Sequence, residues 1–495
     1  MSNVKKNIVA SAFQVAGKLT EKLLGLLSTL ILARLLVPED FGLVAIVSLV
    51  IAFIDVLAET GAKDYIVQKE SVTKDDLDTS WTFNLVLKAI VVALLFLIAP
   101  VVASYYQNES LVAAIRTLSM MAMLNALVNP QLFILQRERD YKKIFKIDIF
   151  RKVVSVIVTV CLAFYLRSYW ALILGQLVSV FGKLALSYIF VPYRPSFTLI
   201  NVKSQFSFSQ WILLKSIFGY VRAQLDTFLV SSKFSVGALG GYHISKYIAM
   251  MPATQLLGPA MSPLLASFSD VQESEKELKH QVQFSLIILF LAVYPVTAFI
   301  FANSSGISSI ILGSKWVSYS QVFGLLSVSV TTVPLINFAT SILFIAKRPR
   351  DVFLFDVLTM LALFAILVGI PHHSLTSFAL AKVSFDIVVT HAFLCYSMTK
   401  LKGNFDLILI VKIALTSLCF SIAFSFLVSL ISLFEDLVLL NLFIKGVVYL
   451  VLWLAGYFSI YGLFLKGTEI GFHISYLAKK SLKILPFVRI FTSNS

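Results

Sequence analysis

Charge is scarce in this sequence. Only 14% of its 495 residues are Asp, Glu, Lys or Arg, against about 25% in a soluble globular domain. Apolar residues make up 58%, and the mean hydropathy is +0.89. These values exclude a soluble enzyme and indicate an all-α polytopic membrane protein. Cysteine is almost missing, with only Cys161, Cys395 and Cys419. All three fall in apolar stretches, which excludes a disulfide framework or CxxC metal site, and small core residues are expected. Histidine is sparse too. His372 and His373 stand together in a turn, but a metal site needs more ligands than this pair. No metal and no cofactor is expected. Long connections are also lacking. The longest outer one, around Asn303 to Ser318, leaves no room for a soluble catalytic domain.

What is present is apolar length. A transmembrane helix needs about 20 mainly apolar residues. Fourteen such spans are predicted, at 11–33, 41–60, 80–103, 111–135, 145–166, 168–191, 207–231, 236–265, 282–302, 319–346, 352–370, 374–398, 405–430 and 437–465. The first, seventh and eighth are the most polar. The first carries Lys18, Glu21 and Lys22, and is expected to remain a span rather than serve as a cleaved leader.

The connections orient these spans. A net charge of +15 could suit nucleic acid, but most basic residues lie in short connections, so no nucleic-acid partner is expected. With the N-terminus cytoplasmic, 26 of the 41 Lys/Arg fall on the inner side. They include Arg137, Arg139, Lys142, Lys143, Lys146, Arg151 and Lys152 in one loop, and Lys347, Arg348 and Arg350 in another. Only Arg34, Arg116, Arg167, Lys233 and Lys315 fall outside. This is a positive-inside distribution, which places both termini in the cytoplasm. Trp81, Trp170, Trp211 and Trp316 lie near span ends, as an interfacial belt requires, whereas Trp453 is expected to pack within the last span. The tail from Lys466 carries Lys479, Lys480 and Lys483 among apolar residues. It reads either as an amphipathic helix on the anionic inner leaflet or as a solvated tail.

An offset of 198 residues brings two halves into register. Phe13 to Val44 lies over Trp211 to Tyr242, each with a polar-studded span, a short turn and then a glycine, Gly42 or Gly240. Parallel repeats with the substrate path between them are a common transporter plan. LARLLVPEDFG (Leu32 to Gly42), LQRERDYKKIFKIDI (Leu135 to Ile149) and SKFSVGALGGYHISKY (Ser232 to Tyr247) resemble the turns and basic inner loop of bacterial polysaccharide exporters and Wzx-type flippases. The resemblance implies the MATE-like fold of the MOP superfamily, with two six-helix lobes around a central cavity plus two C-terminal helices. It divides the chain into an N-lobe (1–192), a C-lobe (193–400), two added spans (401–465) and a cytoplasmic basic tail (466–495). Spans one, two, seven and eight would line the cavity. The implied substrate is an undecaprenyl-pyrophosphate-linked oligosaccharide.

Ten basic residues within the predicted spans are taken as candidates: Lys18, Lys22, Lys88, Lys183, Lys215, Arg222, Lys246, Lys382, Lys412 and Lys445. Six acids within them are weighed beside these: Glu21, Asp55, Glu59, Asp226, Asp356 and Asp386. A charge at mid-bilayer costs about 2.5–3.5 kcal/mol even on the lenient insertion scales, so each needs water, a partner or a ligand. Lys18 and Lys22 share one helix face and suit a wet, anion-binding cavity. Glu21 can partner Lys18 or a neighbouring helix. Lys215, Arg222 and Asp226 form a second stripe. Arg222, which cannot shed its proton, is the first choice for a phosphate or sugar carboxylate, with Asp226 holding it or forming a static tie. Lys246 lies mid-span beside Pro252, Pro259 and Pro263, which bend the helix. Asp55 and Glu59 are an acid pair able to couple transport to a proton gradient, unless Glu59 is solvated. Lys183, Lys382 and Asp386 are further candidates, the last two also a self-neutralising pair. Lys88, Lys412 and Lys445 are expected to snorkel to the interface. Gly182-Lys183 resembles a P-loop end, but Leu184 follows where Ser or Thr is required, so no ATPase is expected.

The expected function is a flippase of O-antigen, capsule or exopolysaccharide repeat units, working with lipids and export machinery such as a polymerase. A polysaccharide polymerase or ligase should carry a large outer loop, which is missing. A drug or cation antiporter should line its path with acids, whereas basic residues predominate here.

Overall fold

The computed structural model describes residues 3–57, 61–138, 140–258, 268, 271, 274–401, 405–431 and 437–468. Glu59, Arg139, Pro259, Pro263 and the tail beyond 468 lie outside them. Among the described residues every regular element is helical. Lipid offers the backbone no hydrogen bonds, and a helix satisfies its own.

In chain order the helices are α1 (Asn3–Leu35), α2 (Pro38–Leu57), α3 (Ala62–Gln68), α4 (Lys74–Tyr105), α5 (Ser110–Ala126), α6 (Leu132–Arg137), α7 (Tyr141–Leu166), α8 (Trp170–Phe190), α9 (Val202–Lys233) and α10 (Val236–Ala249). Then follow α11 (Glu275–Ala302), α12 (Ser304–Ile311), α13 (Ser320–Leu326), α14 (Ser329–Ile345), α15 (Pro349–Gly369), α16 (Leu375–Thr399), α17 (Leu407–Ser429) and α18 (Val438–Ile460). Among the described residues the expected spans coincide largely with helix; the fourth breaks between Ala126 and Leu132, and residues 58–60 of the second and 259–265 of the eighth lie outside the described residues. Ten helices among the described residues are long and apolar enough to cross a membrane by length and composition alone. The other four expected spans are α1 and α9, which carry charge, and α5 and α10, which are short. α10 ends at Ala249, and one wider turn of π geometry runs over Pro252–Leu257. The missing proline N–H removes a rung of the α-ladder, so the helix breaks where the sequence predicts a bend.

The chain divides into two compact units. The first comprises Met1–Ile244, Ile311–Tyr319 and Met360–Leu375, and the second Ser245–Ile310, Ser320–Thr359 and Thr376–Ser495. In the first, α7 packs on α1 and α8, and α4 on α5. In the second, α11 packs on α14 and α17, around Phe290, Leu335 and Phe338. Ser417 and Ser421 are fully buried on one face of α17, and small residues of this kind let membrane helices approach closely. Tyr449 of α18 donates to the carbonyl of Pro295 at 3.0 Å, an acceptor on α11.

The short connection Asn303 to Ser318 stands, and α12 and a 3₁₀ turn, Ser314–Tyr319, fill it. Several expectations are corrected here. Trp316 is fully buried and donates to Ala33 O at 2.7 Å, and Trp81 is buried too, so neither belongs to an interfacial belt. Trp453 packs against the Phe284–Ile460 cluster, within the last span as expected. Cys161, Cys395 and Cys419 are exposed on the helix surfaces rather than in the core. Arg151 and Lys152 lie well inside α7, not in a loop, because the helix already starts at Tyr141.

The repeat has a physical counterpart in the first unit. A Cβ on Gly42 would stand 1.8 Å from Val236 O, and one on Gly240 would stand 1.8 Å from Pro38 O. The 198-residue offset pairs Gly42 with Gly240 and Pro38 with Val236. Equivalent residues therefore make reciprocal contacts, as they must across a two-fold relation. The starts of α2 and α10 meet backbone to backbone, and only glycine permits that.

Residues 191–201 join α8 to α9 and are pinned to the start of α4. Asp78, 1% exposed, accepts from Tyr193 Oη at 2.5 Å and Ser196 N at 3.2 Å, and also from Ser196 Oγ. Asp76 accepts from Lys69 Nζ at 2.6 Å and Asn201 Nδ2 at 2.7 Å, and caps its own helix through Thr73. Burial and the Asp78 carboxylate push the Tyr193 phenol above its ordinary pKa, and the hydrogen bond to Asp76 raises Lys69. Arg137, from the expected basic inner loop, donates to Ile66 O at 3.2 Å and Glu70 O at 2.6 Å. An orphaned buried donor costs about 1–3 kcal/mol. Asp78→Ala should therefore raise amide exchange across 191–201 at least tenfold, measured by hydrogen–deuterium exchange, while exchange in α17 stays unchanged.

Candidate functional site

In the second unit, three of the predicted residues come together. Lys246 of α10 and Lys382 and Asp386 of α16 line one cavity of about 20 Å³, with Met250, Ser329, Thr332 and Val383 around it. Lys382 Nζ lies 2.6 Å from Asp386 Oδ2, with side chains 16% and 26% exposed. The i, i+4 spacing on α16 puts this pair on one helix face. Lys382 is thus paired, and Lys246 stands at the same cavity. Ser329 Oγ is buried without a hydrogen-bond partner among the described residues. A cavity of this size holds about one water.

The first unit holds the remaining candidates. Glu21 does not pair with Lys18. It accepts from Arg151 Nη2 on α7 at 2.6 Å, the neighbouring-helix alternative. Arg151 also binds Asp148 at 2.9 Å and Ser179 Oγ at 3.1 Å, tying α1, α7 and α8 together. Lys22 is half-buried and Lys18 exposed. On α9, Arg222 is exposed, while Asp226 is buried and accepts from Tyr242 Oη at 2.7 Å. Asp226 is thus a tie between α9 and α10. The side chain of Lys215 lies outside the described residues. Lys183 of α8 lines a different cavity, on the α4–α8 bundle.

Lys88 departs from expectation. It is buried, 10% exposed at its side chain, and ion-pairs with Asp55 on α2 instead of snorkelling. Asp55 itself is 47% exposed, so it reaches water from one side. Removing one partner of a buried pair strands the other charge at a cost of about 3–5 kcal/mol; the exposure of Asp55 reduces the penalty on that side only. Lys88→Met should therefore be tolerated better than Asp55→Leu, which strands the buried ammonium. Thermal unfolding in detergent checks the order.

Sequence reasoning missed two cavities. One, of about 570 Å³, is lined mainly by apolar residues of α11, α16 and α17, with Tyr294 Oη 3.4 Å from His391 Nε2. The other is the polar cavity that holds Lys183, lined also by Asn84 and Asn125. Lys183 and the amides inside predicted spans are its sequence signal, and an ionisable group within a span is a functional candidate.

Residues 31–321 match the profile of a family described as polysaccharide biosynthesis protein. The lipopolysaccharide biosynthesis protein WzxC of Escherichia coli (strain K12) is 26% identical over 353 residues, covering 70% of this chain and 71% of that protein. Among solved structures, the lipid II flippase MurJ, in an inward closed conformation, superimposes with a TM-score of 0.68 at 14% identity. The match covers 89% of this chain and 97% of MurJ. A multidrug resistance MATE family transporter of the MOP superfamily, facing inward, gives a TM-score of 0.57 at 13% identity, over 77% of this chain and 94% of that one. The fold is therefore the MATE-like one that the sequence motifs imply.

Proposed function

Because this chain belongs to the polysaccharide biosynthesis protein family, we propose that it moves undecaprenyl-pyrophosphate-linked oligosaccharides across the bacterial inner membrane. The observation that carries the reading most is the cluster of Lys246, Lys382 and Asp386 on one cavity. Asp386 receives Lys382 in this conformation, and an anionic substrate would bring a competing acceptor to the two lysines. Pyrophosphate offers several oxygens to such donors through charge-assisted hydrogen bonds. Lys22, Arg222, Lys18, Lys215 and Lys183 are the remaining cationic candidates for the substrate. Asp55 and Asp386 hold Lys88 and Lys382 in place.

The cavity at Lys246 admits only a water in this conformation, so the phosphate enters from an opened state. Lobes 1–192 and 193–400 would exchange inward- and outward-open states, the inner face carrying the basic loops and both termini. Moving one elementary charge through 100 mV is worth about 2.3 kcal/mol, enough to bias such a cycle. The protein carries substrate and leaves polymerisation to a partner enzyme.

Disrupting the gene should abolish surface polymer and make sugar-loaded carrier lipid accumulate, with drug sensitivity unchanged. Mass spectrometry of extracted lipids measures the accumulation. Loss of polymer with no accumulating sugar-loaded carrier contradicts the reading, and drug hypersensitivity with intact polymer favours an antiporter.

A further inference from the structure

We infer that the cavity on α4–α8 is a saccharide subsite, which takes one hexose or hexuronate ring of the cargo on the cytoplasmic side. The inference rests on the flippase reading above. The cavity, of about 150 Å³, lies wholly in the first unit and is lined by Trp81, Asn84, Asn125, Gln136, Asp148 and Lys183 among others. Trp81 and Asn84 come from the start of α4, Asn125 from the end of α5, Gln136 from α6, Asp148 from the early turns of α7 and Lys183 from the second half of α8. Apart from Lys183, these are the helix ends that the basic connections assign to the cytoplasm, where a repeat unit is assembled.

The cavity is lined by several polar side chains. The side-chain amides of Asn84, Asn125 and Gln136 take part in no hydrogen bond among the described residues. Trp81 is 8% exposed, and its indole N–H falls short of an ordinary hydrogen bond, with the Tyr188 hydroxyl beside it. Asn125 is exposed and Asn84 and Gln136 are half-buried, so their amides are open to the cavity and free to meet a ligand in place of water. Three amides, each both donor and acceptor, together with an indole donor, match the alternating donors and acceptors of sugar hydroxyls.

The charges narrow the ligand class. Asp148 already accepts from Arg151 Nε at 2.9 Å, and Lys183 stands at the same cavity. A metal cation is disfavoured by that lysine and the neighbouring guanidinium. A pyrophosphate is disfavoured by the carboxylate and the scarcity of other cations. A sugar ring suits both signs, and a hexuronate would add a carboxylate for Lys183. The aromatic face of Trp81 packs edge-on to Phe197 at 5.1 Å between ring centroids, which keeps the indole fixed.

Because the amides lack internal partners, truncating them should not unfold the protein. The test uses purified protein in detergent, with glucose and glucuronate as probes in saturation-transfer NMR and undecaprenyl pyrophosphate as a separate ligand. The wild type should show saturable sugar contacts. Asn84→Leu with Gln136→Leu should weaken them at least tenfold, with thermal stability equal or raised and undecaprenyl-pyrophosphate binding kept. Stronger binding of glucuronate than glucose, lost in Lys183→Met, identifies the hexuronate. Equal sugar signals in wild type and double variant overturn the subsite, as does carrier binding with no sugar contact at all. If neither sugar nor carrier binds the wild type, the flippase reading fails as well.

Discussion

Replacing Lys246 and Lys382 together by alanine is expected to end polymer export while the protein reaches the membrane at its normal level. Each lysine offers a charge-assisted hydrogen bond, worth about 1.5–3 kcal/mol when the partner is ionised. Losing one should weaken carrier binding roughly tenfold to a hundredfold, and losing both should cost more than either alone, since they line one cavity. A rival explanation is that Lys382 and Asp386 only neutralise each other, given their 2.6 Å contact. The double neutral variant Lys382→Met with Asp386→Leu separates the two. A static tie replaced by apolar groups of similar size is often neutral or stabilising, so a purely structural pair predicts restored export. A substrate-binding lysine predicts a well-folded protein that still fails to export.

Alanine at Gly42 or at Gly240 is expected to cut export at least fivefold, and by similar factors. In each case the new methyl would sit 1.8 Å from a backbone carbonyl oxygen, Val236 O or Pro38 O. No rotamer change moves a carbonyl, so the helices must part. Overpacking of this kind costs about 1–3 kcal/mol, which corresponds to roughly fivefold to 150-fold in the population of this conformation. The reciprocal contact makes the two substitutions equivalent, so unequal effects would argue against the two-fold relation. At Gly306 and Gly369 a methyl would meet nothing within 4 Å among the described residues, and alanine there should leave export unchanged. Export and expression level, read side by side, check all four.

The sequence made the span order legible because apolar length is a strong and simple signal. Even the polar stretches that became α1 and α9 were found, since the basic residues between spans fixed their parity. The glycine pair was legible too, through a weak repeat whose geometry turned out to be a direct backbone contact. Pairing was not legible. Lys88 stands close enough to a span end to snorkel, yet a partner 33 positions away in sequence, Asp55, holds it in the interior. Glu21 has a lysine three residues off, but Arg151 on another helix outcompetes it with planar, multiple donors. Trp316 falls at a helix start and mimics a belt residue, while tertiary packing buries it. Span position gives depth along the membrane, whereas these choices depend on rotation about each helix axis. The convergence of Lys246 with Lys382, more than 130 residues apart, lies beyond any periodicity.

The most direct measurement reconstitutes the purified protein into sealed proteoliposomes with a fluorescent undecaprenyl-pyrophosphate-linked oligosaccharide, and follows its accessibility to an impermeant sugar-cleaving enzyme. A flippase makes the inner-leaflet pool accessible at a rate that scales with wild-type protein and vanishes in the Lys246→Ala, Lys382→Ala variant. An inner pool that stays protected with wild-type protein, or becomes accessible equally with the variant, contradicts the account.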